Sequence, residues 1–533
     1  MSQVQHALHK LLLPLLRSAS PQAALVPVLV CSLLVILVVR RFGMATAREQ
    51  LLSKLPSPSF RLPIIGHLHL VGSLPHISLR DLAAKHGRDG LMLLRLGAVP
   101  TLVVSSPSAA QAVLRTHDHV FASRAYSPVT EILFYGPSDV AFCPFGEHWR
   151  QVKKIATTHL LTNKKVRSYR HAREYEVTLV LAKISDAASR CTAIDLSDLL
   201  SAFACDIVCR VVSGKLFRKQ GHNKLFRELI DANALLIGGF NLEDYFPKLV
   251  KLDIIKRMVC AKARKVNKMW DDLLNNLIDE HASKLTLLEH NKEENDFIDV
   301  LLTIQHEYNL TRDHIKAQLA VMFEAGTDTS FIVLEYAMVR LVQNPHLMQK
   351  LQGELRSSIP KGKELVTIDD ISNFAYLEAV IKETLRLHMP APLLVPHLSM
   401  VDCNINGYKI PSGMRTIINS WALARDPSSW ENAEDFMPER FMDGGTAATM
   451  DYKGNAFSYL PFGTGRRMCP GFNFAIATIE IMLANLVYHF DWKLPEESMK
   501  GGISMAELFG VTIRRKEKLL LVPVVPQDKD TGP

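Results

Sequence analysis

The sequence predicts a mainly α-helical body with small β-sheets, preceded by an N-terminal helix that anchors the chain in a membrane. Three observations support this fold class. Most segments between about 150 and 390 carry apolar residues at helical spacing. Short β-rich stretches lie on either side of that region, at 91–106 and 404–419. An uncharged apolar run occupies residues 23–39.

The composition is that of a globular protein and gives little support to nucleic-acid binding. The chain has 533 residues, of which 48% are hydrophobic and 22% are charged. Its net charge of +8 is mild, and no run of five or more like charges occurs, so we predict no nucleic-acid partner. The eight cysteines form no CxxC pair and no zinc-type spacing with histidine, which indicates unpaired thiols in a reducing compartment.

The apolar run at 23–39 is the predicted transmembrane anchor. As a helix, its roughly 17 residues would span about 26 Å, close to the ~30 Å hydrocarbon core of a bilayer. Arg40 and Arg41 follow it, and the unpaired cysteines argue against secretion, which favours an uncleaved single-pass anchor over a signal peptide. The slight excess of arginine after the run places the body on the cytosolic side. Residues 1–22 then form an N-terminal segment.

The rest of the chain divides into a connector, one domain and a tail. Residues 40–66 contain a basic flank and a proline-rich, stiff hinge. No linker interrupts 67–525, which we predict to be a single domain, and 526–533 form a tail. Within the domain, 91–106 predicts a β-hairpin and "VTIRRKEKLLLVPVV" (511–525) a last hairpin.

Cys469 lies in an unusual loop, "PFGTGRRMCPG" (461–471), just before a helix that is apolar on nearly every side. The helix N-terminus favours an anion, so a thiolate there would have a lowered pKa and could bind a metal. Three glycines would let the backbone approach a bulky, flat group: Gly463, Gly465 and Gly471. Phe462 can pack on such a group, and Arg467 can bind its carboxylates. The alternative is a buried free cysteine in a glycine-rich turn.

Two further motifs lie in predicted helices. "KETLR" (382–386) places Glu383 and Arg386 on one helix face, as a surface ion pair or as a buried pair with a third partner. "EAGTDTS" (324–330) places Gly326 and Thr329, both poor helix formers, in the middle of a helical segment from about 313 to 342. A packing glycine is the alternative interpretation of the second motif.

Together these elements resemble, in order, the landmarks of cytochrome P-450 monooxygenases. Residues 462–471 match the F-x-x-G-x-R-x-C-x-G haem loop, and 324–330 match A/G-G-x-D/E-T-T/S. The resemblance implies that Cys469 is the axial thiolate ligand of haem b iron, with Phe462 and Arg467 also binding haem. It implies that Asp328 and Thr329 deliver protons to oxygen at the iron, on a helix bulged to open an oxygen pocket.

The resemblance also assigns anchoring and structural roles. Glu383, Arg386 and Arg440 of "PERF" (438–441) match a structural Glu-Arg-Arg cluster. Trp149 matches the W-x-x-x-R element that holds a haem propionate, but Lys153 stands at the arginine position. His397 stands where family members often have arginine. Histidine can still donate to a propionate, but its charge depends on pH. Lysine keeps the charge but loses the bidentate fork of arginine.

What the resemblance implies for function is a haem-thiolate monooxygenase that inserts one oxygen atom from O2 into a small apolar substrate. Electrons would come from NADPH through NADPH-cytochrome P-450 reductase at the endoplasmic reticulum membrane. "FRLPIIGHLHLVGSLPHISLRDLAAKHG" and "PAPLLVPHLSMVDC" resemble the grass enzymes that hydroxylate indole and its oxidised derivatives on the way to benzoxazinoids.

Several alternatives remain open from the sequence. A terpenoid, a fatty acid or a herbicide would also suit an apolar pocket, predicted in 125–142, 320–325, 391–396 and 507–512 with Phe134, Tyr135, Phe323 and Phe509. Of other classes, a haem-thiolate isomerase or dehydratase would need no reductase, but such enzymes tend to lose the acid-alcohol pair that this chain keeps. Two further alternatives are a non-catalytic haem carrier and a protein without haem in which Cys469 is purely structural.

Overall fold

A computed structural model describes residues 47–214, 223–239, 241–248, 253–287, 296–371, 374–496 and 501–526. The predicted N-terminal segment (1–22), anchor (23–39) and the first part of the basic flank lie outside the described residues, as do residues 527–533 of the tail. Among the described helices, one is long and apolar enough to cross a membrane by length and composition, Phe472–His489, but most of it is buried inside the protein.

Helices make up most of the described chain. The first half contains α1 (Ala47–Leu52), α2 (Pro75–His86), α3 (Pro107–Gln111), α4 (Pro128–Leu133), α5 (Glu147–Ile155), α6 (Asn163–Ser168), α7 (Arg170–Ser189), α8 (Leu196–Ser213), α9 (Asn223–Gly238), α10 (Leu242–Tyr245), α11 (Asp253–Val259) and α12 (Ala261–Leu287). The second half contains α13 (Phe297–Ile304), α14 (Arg312–Gln343), α15 (Pro345–Ser358), α16 (Ile368–Ile371), α17 (Ala375–Leu387), α18 (Ser420–Leu423) and α19 (Phe472–His489). The predicted mainly α-helical class is confirmed.

Small sheets flank the helices. The strands are β1 (Leu91–Leu96), β2 (Val99–Val104), β3 (Ser123–Arg124), β4 (Ile194–Asp195), β5 (His397–Leu398), β6 (Cys403–Ile405), β7 (Tyr408–Ile410), β8 (Arg415–Ile418), β9 (Asp491–Lys493), β10 (Glu507–Phe509), β11 (Ile513–Arg515) and β12 (Leu520–Val524). The largest sheet has the order β1-β2-β8-β5-β3, in which β2 and β8 alone run parallel. This sheet brings Arg124 opposite His397, 273 positions along the chain.

The long helix α14 forms the centre of the main hydrophobic core. It packs most extensively against α8 and also against α19 and α17. Thr311 begins it with a capping box, in which the hydroxyl accepts from the His314 backbone and the His314 side chain accepts from the Thr311 backbone. Pro345 begins the next helix because proline has no N–H to extend the previous one. α14 therefore begins at its cap, Thr311, and runs through the main hydrophobic core.

Of the two predicted hairpins, the one at 91–106 is confirmed and the C-terminal one is not. β1 and β2 pair from Leu91↔Val104 to Leu96↔Val99, and the Ser106 hydroxyl caps α3. The predicted last hairpin is wrong. β11 pairs with β10, whereas β12 pairs with β4 and β9. β11 and β12 therefore belong to different sheets. Which sheet each strand joins depends on partners that are distant in sequence.

Candidate active site

A cavity of about 290 Å³ lies between α14 and the loop that precedes α19. Its apolar wall comes mainly from α8, α14 and the segment after α17: Val208, Val211, Val212, Val321, Met322, Ala325, Val333, Ala391, Leu394 and Val395. Among the described residues that line it, none is a glutamate or an aspartate. The cavity thus offers apolar volume and no negative charge.

Cys469 opens onto this cavity from the loop. Its side chain is accessible from the cavity, although protein encloses it deeply on the other sides. The loop turns back on itself through a hydrogen bond from the Cys469 N–H to the Phe462 carbonyl, at 2.9 Å. Gly465 has φ +71°, and a Cβ there would lie 2.5 Å from the Leu114 carbonyl oxygen, so this position requires glycine.

The pKa of Cys469 differs from the sequence-based expectation. Burial raises the pKa of the thiol above its ordinary value, while a hydrogen bond from the Gly471 N–H acts in the opposite direction. The predicted lowered pKa is therefore wrong for the protein by itself, because loss of solvent outweighs the helix N-terminus. A metal ion would have to supply the missing stabilisation of a thiolate.

Cationic side chains line one side of the cavity. They are Arg124, Lys153, Arg466 and Arg467, and the neutral side chain of His397 lies among them. Burial lowers the pKa of Arg467 to about 10, and burial together with Arg467 lowers the pKa of Arg124 well below its usual value. Burial and Arg467 also lower the pKa of Lys153. Cations that repel one another in this way would be stabilised by a bound anion.

Backbone carbonyls hold two of the predicted haem-binding residues in place. Arg467 donates from Nε to the Ala122 carbonyl and from one terminal nitrogen to the Cys143 carbonyl, both at 2.6 Å. Trp149 on α5 donates its indole N–H to the Val140 carbonyl at 3.0 Å. The guanidinium of Arg467 also lies 4.3 Å from the centre of the Trp149 ring. The structure therefore brings Arg467 and Trp149 together at the cavity.

Lys153 and His397 occupy the two positions where the sequence departs from the family pattern. The Lys153 ammonium donates to the Arg466 carbonyl and lies 5.0 Å from the centre of the Trp149 ring. The Nδ1–H of His397 donates to the Phe121 carbonyl at 2.8 Å. Burial and Arg124 lower the pKa of His397 to about 3, so it is neutral at physiological pH and its Nε2 is an acceptor.

The donor set fits a haem. A thiol stands at the cavity floor, the walls are apolar, and cationic side chains, of which Arg124 is buried, are available to match two carboxylates. Arg124 belongs to this set, although no sequence pattern identified it. Its neighbours in "FASRAY" carry no local signal, and it reaches the cavity because β3 pairs with β5.

Thr329 of α14 lines the cavity opposite the cysteine loop. Its hydroxyl donates to the Ala325 carbonyl at 2.7 Å, and α14 is α-helical throughout, without the bulge that the family resemblance implied. Gly326 also lines the cavity, and a Cβ there would lie 2.9 Å from Cγ2 of Val208. This glycine therefore permits the close packing of α8 on α14. Gly326 thus serves helix packing and also lines the cavity.

Asp328, the predicted partner of Thr329, points elsewhere. It is buried, accepts from the Thr512 hydroxyl and pairs with Arg514 at 2.7 Å. Burial raises the pKa of its carboxyl, and Arg514 opposes that rise. Asp328 is not among the described residues that line the cavity. Its two partners lie around the β10–β11 turn, and no sequence motif identified them.

The predicted Glu-Arg-Arg cluster forms behind the cavity. Arg386 donates to both oxygens of Glu383, at 2.7 and 2.8 Å, and Arg440 donates to one of them at 3.3 Å. The side chains of Glu383 and Arg386 are fully buried. Arg386 also bonds the carbonyls of Ala424, Ala433 and Asp435, so the cluster ties α17 to the segment before the cysteine loop.

The predicted substrate segments contribute to the cavities, but most of the named aromatic residues do not. A second cavity of about 140 Å³ adjoins the first and shares Arg124, Leu394 and Val395 with it. Phe509 lines this second cavity. By contrast, Phe134 stacks on Phe142, Phe323 packs on Phe226, and Tyr135 lies under the Lys316 ammonium: none of the three lines either described cavity.

Comparison with known proteins identifies relatives over most of the chain. The Cytochrome P450 family model matches residues 56–522. An indole-2-monooxygenase of Zea mays is 51% identical and covers 98% of this chain and 99% of its own length. A 3-hydroxyindolin-2-one monooxygenase of the same plant is 54% identical, with 89% of each chain covered. A zebra fish cytochrome P450 structure with abiraterone superposes with a TM-score of 0.71 at 23% identity, covering 86% of this chain and 100% of that one.

Proposed function

The chain belongs to the cytochrome P450 family of haem-thiolate monooxygenases, and from this premise we propose that its substrate is indole or an oxidised indole derivative. The observation that carries the proposal is Cys469, which opens onto an apolar cavity that cationic side chains also line. The relatives named for indole-2-, indolin-2-one and 3-hydroxyindolin-2-one monooxygenase activity support the substrate class.

The chain's own residues would divide the work as follows. When bound, the haem supplies the activation of O2 with electrons that originate from NADPH. Cys469 would hold its iron, and Arg124, Arg467, Lys153 and Trp149 would orient its carboxylates. The apolar wall would exclude water and hold a flat substrate against the haem face. Thr329, whose hydroxyl lies on the cavity side of α14, would hold a proton at Oγ1 beside the space that the haem and the substrate would share.

Asp328 would act through a change of partner. In the structure its carboxylate is held by Thr512 and Arg514 rather than facing the cavity. Proton transfer through Asp328 therefore requires its side chain to leave that pair. Arg514 also binds Asp231, whose carboxylate is 55% exposed, and this places a solvent-accessible group on the far side of the same guanidinium.

The remaining parts of the proposal concern the membrane and the electron donor. An anchor at 23–39 would hold the body on the cytosolic face of the endoplasmic reticulum, within reach of an NADPH-dependent reductase. The proline-rich stretch 55–66 would separate anchor and body, and the domain would extend over 67–525.

A spectral titration tests the substrate. Indole and indolin-2-one should displace water from the ferric haem of the purified holoenzyme and give saturable high-spin difference spectra, whereas a fatty acid and a sesquiterpene should give weak shifts. Product formation with a reductase and NADPH should follow the same order. If the lipids bind tightly and neither indole compound shifts the spectrum, the substrate proposal is wrong.

We expect Thr329→Ala to separate NADPH consumption from product formation. Without the hydroxyl, reducing equivalents continue to be consumed, but a larger share is lost as peroxide or water, and the product-to-NADPH ratio falls about tenfold. Thr327→Ala is the matched control, because Thr327 lies two residues earlier, is buried and is not among the described cavity residues. An unchanged ratio in Thr329→Ala would contradict the assigned role.

A further inference from the structure

His397 presents an unused ring nitrogen at the cavity wall. It lies on β5 and lines the larger cavity. Its Nδ1 is 2.8 Å from the carbonyl oxygen of Phe121, which can only accept, so Nδ1 bears the hydrogen. Nε2 has no hydrogen-bond partner among the described residues, yet it is not one of the partnerless atoms that the protein encloses completely. In the neutral ring, Nε2 is therefore an acceptor that a ligand in the cavity can reach.

The charged groups around His397 keep its ring neutral. Burial, followed by Arg124 on β3 and Arg467 in the cysteine loop, lowers the pKa of His397 to about 3. On the other side, β8 places the uncharged Thr416 opposite His397. The buried carboxyl of Asp139 acts on the two arginines. At physiological pH the ring therefore carries no charge.

A neutral His397 does not match the ligand that this side of the cavity fits. Arg124 and Arg467 suit the carboxylates of a haem, and His397 lines the cavity together with them. A carboxylate offers only acceptor oxygens. Two acceptors that face each other away from water leave both without a donor, which is costly. Nε2 can therefore meet a carboxylate favourably only when one proton joins the pair.

We propose that haem binding is accompanied by uptake of one proton at His397, so that Nε2–H donates to a haem carboxylate. The proton comes from solvent, and Nδ1–H keeps its hydrogen bond to the Phe121 carbonyl. The haem carboxylates also offset the positive charges of Arg124 and Arg467, which oppose a charge on the ring. His397 is thus a positioning residue for the cofactor whose hold depends on pH, a role beyond the proposed function.

The direction of the pH effect follows from the two states of His397. Below about pH 3 the ring is protonated with or without haem. Above that pH the haem-free protein must take up the proton when haem binds, so the affinity for haem falls by about tenfold per pH unit. The fall ends at the higher pKa that the bound carboxylate gives the ring, because above it neither state holds the proton. Haem should therefore be released more slowly at mildly acidic pH than at alkaline pH.

Lys153 is a second source from which a similar pH effect could arise. Burial and Arg467 lower the pKa of its ammonium group, and Lys153 also lines the cavity. Loss of its charge at alkaline pH would weaken the binding of a carboxylate. Lys153→Arg removes this source, because a guanidinium remains charged at every accessible pH. The two sources can thus be separated by mutation.

The test measures transfer of haem from the purified holoenzyme to excess apomyoglobin between about pH 5 and about pH 9. The proteins are the wild type, His397→Arg, His397→Gln, Lys153→Arg and His489→Gln. His489→Gln is the matched control, because burial lowers the pKa of His489 to about 4 and His489 is not among the described cavity residues. Each rate is divided by that of His397→Arg at the same pH, which cancels the effect of protonating Cys469. The spectrum of the reduced protein with carbon monoxide verifies each holoenzyme.

We expect the relative release rate of the wild type to rise about tenfold or more across this range and then level off. Lys153→Arg and His489→Gln should keep the rise. His397→Gln should remove it, because its amide donates a hydrogen bond at every pH. If His397→Arg yields no holoenzyme, His397→Gln becomes the reference.

Three results would overturn the inference. The first is a wild-type profile that is as flat as that of the reference. The second is a rise that persists in His397→Gln when His397→Arg is the reference. The third is a rise that disappears in Lys153→Arg, which would assign the effect to the lysine. None of them bears on the substrate, which the titration with indole and indolin-2-one decides separately.

Discussion

Cys469→Ser should abolish the red-shifted Soret band of the reduced protein with carbon monoxide and all product formation. Cys469 is the one cysteine among the described cavity residues, and a serine hydroxyl cannot supply the thiolate that donates electron density to the iron. The measurement is the difference spectrum together with turnover of indole in the presence of a reductase.

Cys403→Ser provides the control for that change. Cys403 is half-buried in β6 and is not among the described residues that line the cavity, so this variant should keep the band and the activity. A thiolate-type spectrum that persists in Cys469→Ser would show that another residue ligates the iron and would contradict the assignment.

Glu383→Gln should destabilise the protein by about 3–5 kcal/mol in free energy of unfolding. The change removes the acid that Arg386 and Arg440 share and leaves two guanidinium groups buried without a counter-charge. Denaturant unfolding measures the loss, and the fraction of purified protein that binds carbon monoxide should fall with it. The effect arises from desolvation, since these side chains have almost no access to water.

Asp186→Asn is the surface counterpart. Asp186 pairs with Arg190 at 2.8 Å, and the two side chains are 57% and 67% exposed. Water and salt screen such a pair, so its removal should cost only about 0–1 kcal/mol. Similar losses of stability in the two variants would mean that the Glu383 cluster does not hold the core together.

Positively charged side chains accompany the two departures from the family pattern at the cavity. Lys153 keeps a positive charge at the position where arginine is usual, and Arg124 adds a guanidinium beside the neutral His397. The positive charge on this side of the cavity therefore depends on several residues. A single replacement there would change the geometry of carboxylate binding more than the net charge of the cavity wall.

Local signals set several helix boundaries in this fold. Ser106 and Thr311 are caps whose hydrogen bonds lie within three residues, and Pro345 marks a helix start through its own ring. The sequence could not show that β12 pairs with β4 and β9 rather than with β11, because strand pairing depends on partners remote in the chain.

In the candidate site, too, some features follow from the sequence alone and others depend on the tertiary structure. By itself, the sequence determined the cysteine loop, the Glu-Arg-Arg residues and the cavity-facing Thr329, since each depends on a spacing within one segment. Tertiary structure alone decided that Arg124 lies beside His397, that Asp328 is held by Arg514, and that the cavity excludes Phe323. Burial and hydrogen bonding between distant segments set these positions and keep His397 neutral.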